Sequence, residues 1–124
     1  MSDIKSVLIE LCAAFNAHDL DRIMACFAED CVLEMPRGQE PWGTRYEGKS
    51  AVRRGLASRF EGLPDVHYDN EQHFIDEAAG TGMSKWTVSG TDRHGRLVRA
   101  NGCDFYTFRG GKVVRKDSYW KIVE

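Results

Sequence analysis

The period of the hydrophobic residues changes near Leu63-Pro64, and this change limits the folds that the chain can adopt. Before this point most apolar residues recur at helical spacing, whereas after it they follow the pattern of β-strands. Two turn sequences, Asp92-Arg93-His94-Gly95 and Gly110-Gly111, separate the last three strands and predict an antiparallel meander. The four predicted strands lie near residues 66–76, 80–90, 96–109 and 112–122.

The N-terminal half contains three helical segments. From Ile4, apolar residues recur at offsets of 3, 4, 7, 8 and 11 residues, which is one face of a helix that Ser2 or Asp3 can cap. Asp19 is the predicted cap of a second helix, and Ser50 is the predicted cap of a third. These helices would present apolar faces to the strands that follow.

A short strand over residues 31–35 and a loop over residues 36–48 are predicted between the second and third helices. Pro36 ends the strand, and the loop contains two prolines and three glycines. The order is therefore helix, helix, strand, helix and four strands. It predicts an α+β domain in which a curved, mostly antiparallel sheet wraps around three helices.

The composition is that of one globular domain over residues 1–124. Hydrophobic residues make up 42% of the chain, and 17 basic residues against 19 acidic ones give a formal charge of −2. This balance lacks the basic surface that nucleic-acid binding requires, and no apolar run has the length of a membrane helix. Because no signal peptide is recognisable, we expect a cytoplasmic protein with neither nucleic acid nor a membrane as partner.

The cysteines and histidines do not form a recognisable metal site. Four cysteines, none in a CxxC pair, are interpreted as buried free thiols, with zinc binding or thiol catalysis as the alternatives. His67 and His73 would lie on one face of a strand but roughly 20 Å apart at about 3.3 Å per residue. With no GxGxxG, P-loop, HExxH or GxSxG sequence either, we predict no metal and no cofactor.

Four segments carry a pattern larger than any single element: FNAHDLDRIMACFAEDCVLEMP (15–36), YEGKSAVRRGL (46–56), GCDFYTFRGGKVV (102–114) and DSYWKIVE (117–124). In this order they resemble the NTF2-like superfamily of nuclear transport factor 2, ketosteroid isomerase and the SnoaL-like polyketide cyclases. The resemblance implies a cone-shaped domain with a deep pocket between the concave sheet face and the helices. It also implies a homodimer formed through the outer sheet face. The fold hosts enzymes as well as non-catalytic carriers, so it does not define the activity.

Asp104 is the candidate catalytic residue. It lies in the apolar segment Gly102–Phe108, where a carboxylate either finds a partner or is desolvated, which favours its protonated form. Such a carboxyl group can exchange a proton with a substrate near neutral pH. By resemblance, Asp104 matches the strand position of the oxyanion-hole aspartate of ketosteroid isomerase and of the acid/base proposed for the cyclases. The alternative is a structural aspartate that a neighbouring strand or the dimer partner satisfies.

Two other matched positions argue against classical steroid isomerisation. Met35 stands where that enzyme has its general base, and Leu11 stands where it has its phenol donor. Neither side chain can take a proton or donate a hydrogen bond. Glu34 does not replace Met35, because strand alternation directs it to the opposite face.

The partner of Asp104 depends on the turn at Gly110-Gly111. A tight turn sets Asp104 opposite Asp117, whereas a one-residue bulge sets it opposite Lys116. The resemblance favours the bulge, because it also brings Ser118 and Trp120 to the pocket face. Both registers stay open from the sequence.

Trp42 and Tyr46 stand out because both lie in the predicted proline- and glycine-rich loop. They are interpreted either as a lid that stacks on an apolar or aromatic ligand, or as aromatics that pin their own loop. The other residues predicted to line the pocket are Leu11, Phe15, Met35, Phe60, Tyr106 and Trp120.

Two functions are consistent with these residues. The first is a cofactor-independent enzyme that transfers protons on an apolar or aromatic substrate, by cyclisation, isomerisation, dehydration or hydrolysis, with Asp104 as acid/base. The second is a module that uses the same pocket or sheet face to bind a small molecule or a protein without chemistry. The single visible catalytic group fits both interpretations.

Overall fold

Three helices and six strands make up residues 3–124, the part of the chain that the computed structural model describes. None of these helices is long and apolar enough to cross a membrane. The helices are α1 (Ile4–Asn16), α2 (Leu20–Met24) and α3 (Lys49–Gly62). The strands are β1 (Phe27–Glu40), β2 (Gly43–Glu47), β3 (His67–Asp76), β4 (Thr81–Thr91), β5 (Leu97–Arg109) and β6 (Lys112–Trp120).

The six strands form one sheet in the order β2-β1-β6-β5-β4-β3. Only the β1–β6 pair is parallel, and the other four pairs are antiparallel. Helix α1 packs against β3 and β4, and α3 packs against β1 and β2, so the helices cover one face of a sheet that is not closed. The predicted α+β fold, with a mostly antiparallel sheet around three helices, is confirmed.

The core lies between the helices and the concave face of this sheet. The apolar face of α1 predicted from Ile4 onward is buried, and Leu8 and Leu11 are almost inaccessible to solvent. A second, smaller cluster surrounds Trp86 and includes Leu63, Val66, Val88 and Ala100. The side chains that form the concave wall alternate along each strand with side chains on the outer face.

Two helix caps are confirmed and one is wrong. The carboxylate of Asp3 accepts a hydrogen bond from the Ser6 amide at 2.7 Å, and Asp19 caps α2 in the same way. Helix α3 does not begin at Ser50, because its N-cap is Gly48, with a φ of 87° and no side-chain cap. That positive φ favours glycine, which lets the chain turn sharply from β2 into the helix.

The segment over residues 36–48 is a β-hairpin, and the predicted loop is wrong. Strand β1 continues to Glu40 and pairs with β2, which forms an edge of the sheet. The ladder is interrupted between Met35 and Glu40, which accommodates Pro36 because a proline cannot donate a ladder hydrogen bond. An edge position and an irregular register therefore explain why a proline-rich sequence forms strands here.

The register between β5 and β6 differs from both predicted arrangements. Arg109 pairs with Lys112 across the turn, but one extra residue in β6 shifts the ladder beside Thr107 and Phe108. Asp104 consequently lies directly opposite Ser118 rather than Asp117 or Lys116, although Lys116, its predicted neighbour in the bulged arrangement, is its ion-pair partner. The shift nevertheless places Lys116 and Trp120 on the concave face with Asp104, because alternate residues share a face.

Candidate active site

A row of polar residues crosses four neighbouring strands of the concave face. His73 on β3 lies opposite Ser84 on β4, Ser84 lies opposite Asp104 on β5, and Asp104 lies opposite Ser118 on β6. Ser84, Asp104 and Ser118 are each buried. Burying a polar group in an apolar core costs free energy unless the group forms hydrogen bonds. Apolar packing alone therefore does not explain why these polar residues lie in the core.

Asp104 is the centre of this row and has two partners. Its Oδ1 accepts a hydrogen bond from Lys116 Nζ at 3.0 Å, and its Oδ2 accepts one from Trp86 Nε1 at 2.9 Å. The side chains of Asp104 and Lys116 are 8% and 7% exposed, respectively, so the ion pair is withdrawn from water. A buried ion pair is weak evidence for stability, because the cost of desolvating two charges offsets much of their attraction.

A small inner cavity of about 20 Å³ borders this ion pair. The cavity lies between α1 and the concave face of the sheet and has room for a single water molecule. Leu11 and Phe15 from α1 and Tyr106 from β5 form part of its apolar wall, as predicted for the pocket. Its other lining residues are Leu8, Cys12, Tyr68, Ser84, Trp86, Asp104 and Lys116.

A larger outer cleft of about 310 Å³ opens where β1 separates from β6. The two strands are paired as far as Glu34 and Asp117, and the cleft begins directly after that pair. Three residues predicted to contact a ligand, Met35, Trp42 and Trp120, line it. The other lining residues are Pro36, Pro41, Gly43, Asp117, Ser118 and Tyr119.

Two tryptophans separate the inner cavity from the outer cleft. Trp86 and Trp120 both lie opposite Gly102 and meet edge to face, with ring centroids 6.0 Å apart. A Cβ at Gly102 would lie 2.7 Å from the Trp86 ring, so glycine is needed to seat the indole there. Arg59 covers the other side of Trp120, with its guanidinium carbon 4.4 Å from the ring centroid.

Ser118 connects the two spaces. It lines the outer cleft and is the cross-strand neighbour of Asp104, which lines the inner cavity. Directly opposed side chains have Cβ atoms about 4.5–5.5 Å apart. Ser118 therefore lies between the outer cleft and the Asp104 carboxylate.

Two residues predicted for the pocket line neither space. Tyr46 packs on α3, where a Cβ added to Gly55 would lie 2.8 Å from its ring, and its role is to dock that helix on the hairpin. Phe60 lies between Phe15 and His18, with ring centroids 6.3 Å and 4.9 Å away. Trp42 is 42% exposed at the hairpin and stacks under Arg45, so the hairpin closes the cleft through Trp42 rather than through Tyr46.

The thiols and histidines do not form a metal site. All four cysteines are free, and burial together with the nearby Glu71 carboxylate raises the pKa of Cys12 to about 12. His67 is exposed, whereas His73 is half-buried with its side chain 9% exposed and lies opposite Ser84 on the concave face, so the prediction that they share a strand face is wrong. One extra residue between Asp69 and Gln72 reverses the alternation. Within residues 3–124 no three His, Cys, Asp or Glu side chains are arranged to hold a metal ion.

Sequence reasoning missed Ser84 and His73 as neighbours of Asp104. Ser84 stands two residues before Trp86 in an alternating strand, which indicates that both face the same side. No pattern in the sequence signals the extra residue in β3 that turns His73 inward. The sequence could therefore have indicated that Ser84 faces the core, but not that His73 is its hydrogen-bond partner.

The fold and this buried carboxylate define an NTF2-like domain with a candidate active site on its concave face. Residues 8–116 match the SnoaL-like domain family, and the chain belongs to that family. This match covers most of the chain, including α3, three residues of the polar row (His73, Ser84 and Asp104) and the first half of β6.

Solved structures share the fold at low sequence identity. A candidate polyketide cyclase from Pseudomonas putida KT2440 is 17% identical with a TM-score of 0.87, and the match covers 98% of this chain and 94% of that one. An NTF2-like protein of unknown function from Burkholderia pseudomallei K96243 is 19% identical over 98% and 92%, with a TM-score of 0.84.

A third similar structure is that of SalBIII, described as an epoxide hydrolase/cyclase-like enzyme with a role in pyran ring formation in the polyether salinomycin. It is 21% identical over 95% of this chain and 90% of that one, with a TM-score of 0.79. At these identities the likeness establishes the fold, whereas activity has to be argued from the site.

Proposed function

We propose that the protein is a cofactor-independent enzyme that transfers protons on a small, largely apolar or aromatic carbonyl compound, as a cyclase or isomerase does. The observation that carries this proposal is the Asp104 carboxylate, held by Lys116 and Trp86 at the wall of a cavity. The SnoaL-like family and its cyclase-like neighbours support the reaction class.

In this proposal Asp104 is the base that takes a proton from the substrate. Each carboxylate oxygen uses one lone pair on Lys116 or Trp86 and keeps another that can accept a proton. The Lys116 ammonium, 3.0 Å from Asp104 Oδ1, can stabilise negative charge that develops on a substrate oxygen. Because the pair is withdrawn from water, this electrostatic effect is stronger than it would be at the surface.

The two spaces suggest how a substrate is held. The outer cleft has the volume to hold the body of a small ring system, and Trp42 and Trp120 offer it aromatic surfaces. The inner cavity admits only the reacting end, which reaches Asp104 past Ser118 when the Trp120 side chain moves aside. Classical steroid isomerisation is not proposed, because Met35 and Leu11 are apolar where that reaction needs a base and a donor.

The second candidate function is binding without chemistry, and the Asp104–Lys116 pair is the observation that favours it. A carboxylate neutralised by a buried lysine also describes a structural ion pair in a nearly filled core. In either case we propose a cytoplasmic homodimer formed through the outer sheet face, where the large apolar side chains of Phe74, Phe105 and Tyr119 are exposed.

The test uses 5-nitrobenzisoxazole, whose ring opens when a base removes one carbon-bound proton. We expect the protein to accelerate this reaction and Asp104→Asn to lower the acceleration about a hundredfold. The control is Asp30→Asn, which removes a surface carboxylate paired with Arg109 and should keep the wild-type rate. Binding of the probe is followed separately by NMR shifts. If the wild type binds the probe without accelerating its opening, the protein is a binding module, whereas an unchanged acceleration by Asp104→Asn would show that Asp104 is not the base.

A further inference from the structure

We infer that Ser84 is a second catalytic group, an acid that donates a hydrogen bond and a proton to the substrate oxygen, and that His73 and Glu71 position it. This inference rests on the proposed enzymatic function and adds the acid that Asp104 alone does not supply. It is carried by the contact between His73 and Ser84, by the register that sets Ser84 opposite Asp104, and by the cavity that both of these residues line.

The first step is the position of Ser84. Its Oγ lies 2.8 Å from His73 Nδ1, and its strand position is directly opposite Asp104 on the concave face. The Cβ atoms of two such neighbours are about 4.5–5.5 Å apart. The carbonyl oxygen and the adjacent carbon of a ketone lie closer together than this, so one ketone placed between the two side chains can contact both.

The second step is the incomplete pairing of His73. Its side chain is 9% exposed, and its Nε2 is a buried nitrogen without a hydrogen-bond partner among residues 3–124. The nearest carboxylate oxygen, Glu71 Oε2, lies 3.4 Å from Nε2 but outside hydrogen-bonding geometry. An unsatisfied buried nitrogen costs free energy, and such groups are concentrated where function requires them.

The third step is the backbone that creates this arrangement. Asn70 has a φ of 58°, in the left-handed region, and stands within the irregular stretch between Asp69 and Gln72. This β-bulge turns His73 into the core and leaves Glu71 beside it. Bulges of this kind re-aim side chains and are common next to active sites.

The side chains around His73 include one adjacent carboxylate. Glu71 lies on the same strand, Cys12 faces Glu71 from α1, and Asp104 and Lys116 lie across the cavity on β5 and β6. In the proposed step both ring nitrogens of His73 carry a proton, Nε2 faces Glu71, and Nδ1 donates to Ser84 Oγ, which leaves the Ser84 proton free for the substrate.

The chemical step then balances within the site. Asp104 takes the proton from the carbon beside the carbonyl, and the electron pair of that C–H bond forms the C=C bond of an enol. The carbonyl oxygen receives the proton of Ser84 Oγ, and Ser84 receives the Nδ1 proton of His73. The ring is now neutral, and the reverse transfers restore every group when the enol is reprotonated at carbon.

The first test reads the protonation of His73 without any substrate. Two-bond proton–nitrogen NMR spectra of the ring distinguish an Nδ1 that carries a proton from one that does not. We expect a protonated Nδ1 in His73, and Ser84→Ala should shift this signal while leaving that of the exposed His67 in place. An unprotonated Nδ1 means that Ser84 donates to His73 and overturns the inference.

The second test compares two reactions. Exchange of the carbon-bound protons of 2-tetralone in deuterium oxide needs a base and an acid at the carbonyl oxygen, whereas ring opening of 5-nitrobenzisoxazole needs mainly the base. We expect Ser84→Ala and His73→Gln to lower ketone exchange at least about tenfold more than ring opening. Ser84→Thr, which keeps the hydroxyl, should recover most of the exchange.

The control and the contradicting results are also defined. His67→Gln changes an exposed histidine with its own carboxylate partner on the same strand, and it should leave both reactions at wild-type rates. If Asp104→Asn slows both reactions while Ser84→Ala slows them equally or not at all, this inference fails and the proposed function stands. If Asp104→Asn slows neither reaction, the proposed function itself fails.

Discussion

Two buried carboxylates on opposite faces of the sheet show how burial differs from a candidate catalytic role. Glu34 and Asp104 are each 5% exposed, and each has two partners. Glu34 is held by Arg45 and Arg115, whose side chains are 34% and 41% exposed. Asp104 is held by one buried ammonium group and a neutral indole, and it borders a cavity.

The difference between the two sites shows which features leave a buried carboxylate available to a ligand. Burial raises the pKa of Glu34, but the hydrogen bonds and charges of Arg45 and Arg115 outweigh it and hold that pKa below its usual value. Two flexible guanidinium groups use up the acceptor positions of that carboxylate, and neither cavity reaches it. Asp104 has one charged partner and adjoining space, so a ligand can compete for it.

The largest expected change in the free energy of unfolding comes from removing the charged partner of Asp104. Lys116→Met leaves the Asp104 charge buried without its counter-charge, so unfolding should become easier by about 3–5 kcal/mol. The double variant Asp104→Asn/Lys116→Met should recover most of this loss. Urea denaturation of the two variants and the wild type measures both quantities. Equal stability of wild type and Lys116→Met would show that Asp104 is not left as a buried, unpaired charge in this variant.

A smaller, pH-dependent loss of stability is expected when Glu34, the buried carboxylate on the outer face, is changed. The folded-state pKa of Glu34 is depressed, so its contribution to stability is present above the unfolded value of 4.5 and is lost as pH falls through the folded value. Glu34→Gln should therefore destabilise by about 1–3 kcal/mol at neutral pH and by much less below pH 4.5. Denaturation curves at neutral and acidic pH measure this difference, which a pH-independent loss would contradict.

The smallest expected loss of stability comes from removing the hydrogen bond that Trp86 donates to Asp104. Trp86→Phe removes the indole donor to Asp104 while keeping an aromatic ring over Gly102. We expect a loss of about 0.5–1.5 kcal/mol, because Lys116 still pairs with the carboxylate. Trp120→Phe, which removes no donor to Asp104, is the matched control in the same denaturation series. Equal losses in both variants would mean that packing rather than the hydrogen bond dominates.

Local features of the sequence were sufficient to predict the strands and the candidate acid. Strands β3 to β6 follow from the change of hydrophobic period and the turn signals, and Asp104 was recognisable as a charge in an apolar strand. Lys116 was one of the two partners that the sequence left open for Asp104, but the register itself was not predictable, because one extra residue in β6 changes it by an amount that no local pattern reveals.

The same reasoning applies to the other side of the polar row. The bulge beside Asn70 moves His73 from the predicted face to the opposite one and creates its contact with Ser84. The hairpin over residues 36–48 was also unpredictable, since its proline-rich sequence is compatible with strands only at the edge of this particular sheet. Register and edge position depend on the whole sheet, and local sequence does not encode them.

The measurement that tests the central claim most directly is the isotope effect on the opening of 5-nitrobenzisoxazole, with the two buried carboxylates compared. The wild type and Glu34→Gln should open the ring at equal rates, and both should slow several-fold when the transferred hydrogen is deuterium. Asp104→Asn should lose the protein-dependent rate. The account is contradicted if Asp104→Asn keeps both the rate and the isotope effect, because another group would then be removing the proton.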